Sequence, residues 1–197
     1  MNKKLKKWGY LFIGIILFWM VLTIWANNSG NDRALSLGSE TSTYTALIVY
    51  NPDPIYNLDE QVCHAFAEGL KETGFYSQLA SLDYEGIDTK QDYDLIVFCA
   101  NTYNWAPDWK TTKFIANYPD LANQNVVALT LGSGSTARAK RLLEKAINKR
   151  NANLIESKEF WLMKPNDETR MDESNVAVAT DMAQDLGLHV GLFLSTK

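Results

Sequence analysis

Three short, nearly unbroken apolar runs constrain this chain more than anything else in it. They are Thr45-Ala46-Leu47-Ile48-Val49-Tyr50, Asp94-Leu95-Ile96-Val97-Phe98-Cys99-Ala100 and Asn125-Val126-Val127-Ala128-Leu129-Thr130-Leu131. A strand with one wet face alternates apolar and polar residues, whereas a run without alternation is buried on both faces. Longer amphipathic segments separate the runs. Val62, Cys63, Phe66, Ala67 and Leu70 recur at helical spacing, and Gly74 follows as a stop. Ala139, Leu142, Leu143, Ala146 and Ile147 mark a helix over 136–149, and Val176, Ala179, Met182, Ala183 and Leu186 another over 174–186. A short helix is expected over 109–116, weaker strands over 76–82 and 154–163, and a helical stub near 87–91. Asn57, with Glu60 three residues on, reads as a capping box variant. The order βαβαβαβαβα, with right-handed crossovers, predicts an α/β fold: a doubly wound, five-stranded parallel sheet covered on both faces.

An apolar N-terminal segment precedes this body. No charged residue occurs from Trp8 to Ala26, and Trp8, Tyr10 and Trp25 stand near its two ends. As a helix the run would measure roughly 28 Å, close to the hydrocarbon thickness of a bilayer. It is longer than the usual apolar region of a cleaved signal peptide, and Ile24-Trp25-Ala26 is a poor cleavage site. The expected layout is a basic cytoplasmic tip (1–7), a retained single-pass anchor in the membrane (8–26), a flexible tether (27–43) and the α/β domain (44–197). Lys3, Lys4, Lys6 and Lys7 precede the span, which places the N-terminus in the cytoplasm and the domain outside.

The 197 residues carry a formal charge of −4. Residues 1–40 contribute +3 and the remainder −7, so an acidic body hangs from a basic tip. An acidic body has no general pull on nucleic acid, and no nucleic-acid partner is expected. Two Cys and two His are too few for a zinc ribbon, and neither His has metal-ligand spacing around it. No metal ligand or catalytic residue is assigned. Cys63 and Cys99 fall on apolar stripes and are expected to be buried, with their pairing left open.

In a doubly wound sheet, ligands bind outside the carboxyl ends of the strands. The loops after Tyr50, Ala100 and Leu131 therefore carry the candidate site. The second loop reads Asn101-Thr102-Tyr103-Asn104-Trp105-Ala106-Pro107, and the third Gly132-Ser133-Gly134-Ser135. With the element order, these loops make the chain from about Ala46 onward resemble the flavodoxin family. In that family the second loop lies against a flavin ring, often through an aromatic side chain. The resemblance implies FMN as cofactor, electron transfer as activity, and a redox protein as partner. It points to Thr102, Tyr103, Asn104 and Trp105 beside the ring and to Gly132, Ser133 and Gly134 in the small-residue loop.

The first loop departs from the pattern. Flavodoxins hold the flavin phosphate with Ser/Thr-x-Thr-Gly-x-Thr, whose hydroxyls and N–H groups meet the anion. Here the loop reads Asn51-Pro52-Asp53-Pro54-Ile55-Tyr56-Asn57. Two prolines have no N–H to donate, and Asp53, Asp59 and Glu60 bring like charge. Asn51 and Asn57 are the remaining candidate phosphate contacts. The structural alternatives are that Tyr103 and Trp105 cap the sheet edge and that Gly132 to Ser135 form a turn and helix cap.

Related architectures are excluded by what their sites need. A response-regulator receiver needs an acceptor Asp at the end of the third strand, where Cys99-Ala100-Asn101 stands. A hydrolase elbow needs Gly-x-Ser-x-Gly, and a dinucleotide fold needs Gly-x-Gly-x-x-Gly after the first strand. The expected function is a membrane-tethered FMN electron carrier, which the second loop favours; the alternative, which the first loop favours, is a flavin-free binding or scaffold module at the cell surface.

Overall fold

The computed structural model describes residues 3–28 and 33–196. Its elements in chain order are α1 (Lys3–Asn28), β1 (Ala34–Leu37), β2 (Tyr44–Tyr50), α2 (Leu58–Glu72), β3 (Phe75–Ser81), β4 (Leu95–Tyr103), β5 (Ala106–Pro107), α3 (Trp109–Asn117), β6 (Asn125–Gly132), α4 (Ala137–Asn148), β7 (Asn153–Trp161) and α5 (Asn175–Ser195). The sheet runs β1-β3-β2-β4-β6-β7, with β5 paired to β4. Strands β3, β2, β4, β6 and β7 are mutually parallel, the five expected. Two short antiparallel pieces are added to them. Strand β1 pairs with β3, so residues 34–37 of the expected tether belong to the sheet. Strand β5 folds back on the end of β4.

The non-alternating runs are buried on both faces, as their composition requires. Ala46, Ile48 and Tyr50 of β2 enter one core layer with Val62, Phe66 and Leu70 of α2 and Ala179, Ala183 and Val190 of α5. Leu47 and Val49 enter the opposite layer with Ile115 of α3 and Leu143 and Ile147 of α4. Cys63 and Cys99 are both buried and unbridged.

Two local expectations change. Residues 87–91 form turns rather than a helical stub, with Asp88 Oδ1 accepting from the Lys90 N–H at 2.9 Å. An Asp that satisfies a nearby N–H favours a turn over a helix. Asn57 makes no side-chain cap to α2; it sits in the left-handed region at φ 50°. The first-turn donor of Glu60 is met instead by Asp59.

Among the described residues, helix α1 shares no buried core with the domain. Over Lys6–Ala26 it is long and apolar enough to cross a membrane, and none of that stretch is buried.

Candidate functional site

The three candidate loops meet at the carboxyl edge of the sheet, where parallel strands β2, β4 and β6 all end. A cavity of about 180 Å³ opens there, lined mainly by the first loop (Asp53 to Tyr56), by Thr102 and Tyr103, and by Gly132 and Ser133. Ala26 of α1 closes part of its rim. Asn104, Trp105 and Gly134 lie beside it, in a second groove that they share with Trp19. The third loop is tied down from outside: the Ser133 carbonyl accepts from the Met163 and Lys164 N–H groups at 3.0 and 3.2 Å.

Asn51 and Asn57, expected to face a phosphate, line neither space. Asn51 is buried, and its carbonyl accepts from Asn101 Nδ2 at 2.8 Å. Asn57 is exposed, its carbonyl turned toward Gln61.

The first loop is organised by two carboxylates. Asp53 Oδ1 accepts from the N–H groups of Ile55 (2.8 Å) and Tyr56 (3.0 Å). Asp59 accepts from the N–H groups of Asp53 (2.5 Å) and Glu60 (2.8 Å), and from Asn101 Nδ2 at 2.8 Å. Pro52 and Pro54 alternate with these residues and leave no other N–H between Asn51 and Ile55 except that of Asp53. Four N–H groups placed to face an external anion, at positions 53, 55, 56 and 60, therefore face the chain's own carboxylates. Burial holds the Asp59 carboxyl above the usual carboxylate range, against the hydrogen bonds that pull it down.

Tyr103 joins the second loop to the first by donating to Asp53 Oδ2 at 2.7 Å. Its phenol is raised by burial and by the Asp53 carboxylate that accepts its proton. At the start of α3, Asp108 is buried and accepts from the Thr111 N–H (2.8 Å), the Thr111 hydroxyl (2.8 Å) and the Asn101 N–H (3.1 Å). Burial pushes its carboxyl up to about 6. Asn101 thus bridges Asp59 through its side chain and Asp108 through its backbone. The sequence reading missed Asn101 and Asp108 as organisers. Asp108 three residues before a helical Thr-Thr pair is a cap signal, but nothing local announces the Asp59 contact, which spans 42 positions.

Asn104 and Trp105 form the tip of the β4–β5 hairpin, both at positive φ (52° and 59°). The Asn104 side chain reaches α1: its Oδ1 accepts from Trp19 Nε1 at 2.8 Å, and its Nδ2 donates to Thr23 Oγ1 at 3.1 Å. Trp105 is 59% exposed.

FMN meets this site unequally. The aromatic hairpin and the small-residue loop suit a flat ring. The first loop does not suit a phosphate, because Asp53 and Asp59 hold its donors and would repel a dianion. The cavity is also smaller than the roughly 300–1,000 Å³ of most small-molecule sites.

No protein-family model matches the sequence, and no curated protein matches it. Solved structures do. A flavodoxin from the domain Archaea superposes with a TM-score of 0.59 at 11% identity, over 77% of this chain and 99% of that one. The flavodoxin WrbA-like protein of Agrobacterium tumefaciens gives 0.59 at 16% identity, over 78% and 99%. Oxidised flavodoxin 2 of Bacillus cereus gives 0.52 at 17% identity, over 75% and 99%. With five parallel strands in the order found, helices on both faces and loops gathered at one edge, the chain has a flavodoxin-like fold.

Proposed function

We propose that the chain is a single-pass, membrane-tethered binding module built on the flavodoxin fold, with its phosphate seat closed. Helix α1 is the anchor, the N-terminus is cytoplasmic, and the domain stands on the extracytoplasmic side. The observation that carries the reading is the first loop and the first turn of α2, whose N–H groups at positions 53, 55, 56 and 60 all donate to Asp53 or Asp59. A ligand for this site is small and largely apolar, and needs no anion seat.

The FMN electron carrier is the second reading. It is favoured by the fold and by the aromatic hairpin at Tyr103 and Trp105. FMN would supply one- and two-electron redox chemistry.

Full-length protein in detergent is mixed with FMN at micromolar concentration and passed over a sizing column. The closed seat predicts no flavin absorption at roughly 450 nm in the protein peak. Stoichiometric FMN would instead establish the electron carrier. The variant carrying Pro52→Thr, Asp53→Thr and Pro54→Gly frees donors and removes one charge. It should bind FMN more tightly than the parent, by about tenfold or more.

A further inference from the structure

Two features tie the carboxyl edge of the sheet to α1. The first is covalent. Strand β1 runs antiparallel to β3, so its start lies at the carboxyl edge, where the Arg33 N–H donates to Ser81 Oγ at 3.0 Å. Five peptide links connect Asn28, at the end of α1, with Arg33. That length of chain reaches at most about 18 Å. The second is the pair of hydrogen bonds from Trp19 and Thr23 to Asn104.

Trp19 stands seven residues before Ala26, the end of the apolar stretch. On a helix this is about 10 Å below the level where the stretch ends. A hairpin tip held against Trp19 and Thr23 cannot stay in water if the helix spans a bilayer. Its chemistry agrees with that depth. The Asn104 amide is matched at both ends, as a polar group near lipid must be. Around it, Trp105, Ile55, Tyr56 and Met163 are 59%, 64%, 49% and 66% exposed, all on loops at this one edge. Trp and Tyr are the side chains that favour the membrane–water interface.

We infer that the carboxyl edge of the domain rests on the bilayer, its β4–β5 hairpin tip inserted in the lipid interface beside α1. The cavity then opens toward the membrane surface rather than toward bulk water. The inference rests on α1 being a span, and the experiment separates the two.

Full-length protein is reconstituted in phosphatidylcholine vesicles with an environment-sensitive fluorophore on an introduced cysteine. Cys63 and Cys99, both buried, are withheld from the label. Three variants are compared: Phe12→Cys in the middle of α1, Trp105→Cys at the hairpin tip, and Lys149→Cys at the opposite edge of the sheet. Vesicles are doped with lipid spin-labelled near the headgroup or deep in the chain. The expected result is loss of emission at position 12 with the deep label, loss at position 105 with the shallow label, and none at 149. Quenching at 12 with none at 105 overturns the inference and leaves the anchor standing. No quenching at 12 removes the anchor, and the inference with it. A label at 105 that is shielded from aqueous iodide yet unquenched by lipid means that protein, such as a second copy, covers the tip, and also overturns it.

Discussion

At the residue scale the site is governed by carboxylates held out of water. Asp108 accepts three hydrogen bonds, yet burial still leaves its carboxyl near 6, above the ordinary Asp value of 3.8. A carboxyl raised on folding stabilises the folded state fully below its unfolded pKa, and that contribution is lost as pH rises through the folded value. The window here runs from about 4 to about 6. Relative to the non-titrating variant Asp108→Asn, the wild type should gain about 1 kcal/mol between pH 7 and pH 5. Urea midpoints of both proteins at the two pH values measure it; a constant difference would mean that Asp108 does not titrate in this range. Part of this was legible in the sequence. Asp53 and two prolines in one loop, with Asp59 just after it, announced that an external phosphate was unwelcome. That the same carboxylates would take the loop's own N–H groups was not legible, because it depends on how the chain closes around Asn101.

At the element scale the sequence was more generous. Apolar runs and helical stripes located all five parallel strands and the four helices of the domain. Period and length are strong signals when a segment is buried on both faces or along a full stripe. The missed pieces are the four residues of β1 and the two of β5. Ala34–Leu37 lies in a polar, glycine-containing stretch and becomes a strand only because the edge of β3 is there to pair with it. The tight seam between α2 and α5 was equally silent. A Cβ added to Gly187 would lie 2.1 Å from the Phe66 carbonyl oxygen, and one added to Gly69 would lie 2.0 Å from that of Gln184. Both obstacles are backbone and cannot turn aside. Alanine is a better helix former than glycine by about 1 kcal/mol, yet Gly187→Ala should destabilise the domain by about 1–3 kcal/mol through forced separation of the helices. Gly14→Ala, with nothing within 4 Å of the added carbon, should leave the thermal midpoint of the domain unchanged. Equal midpoints for wild type, Gly14→Ala and Gly187→Ala would show that the seam is not close-packed.

At the scale of the whole molecule, the distribution of charge and the placement of the site point the same way. Lys3, Lys4, Lys6 and Lys7 precede the apolar stretch, and Arg33 alone follows it closely. In the proposed topology that basic cluster stays in the cytoplasm and the acidic domain stands outside. Strand β1 enters the sheet at the edge that carries the cavity, so in the proposed arrangement the domain hangs with its loops toward the lipid and the turn after α4 away from it. Protease added to intact cells, or to spheroplasts where an outer membrane is present, should digest the domain and leave a small fragment containing α1. Cleavage should begin at exposed turns far from the membrane, such as the one after α4 over 148–151, rather than at the hairpin tip around Trp105. Full protection of the domain until the cells are lysed would reverse the orientation. Digestion starting at the hairpin tip would keep the orientation but lift the carboxyl edge off the bilayer.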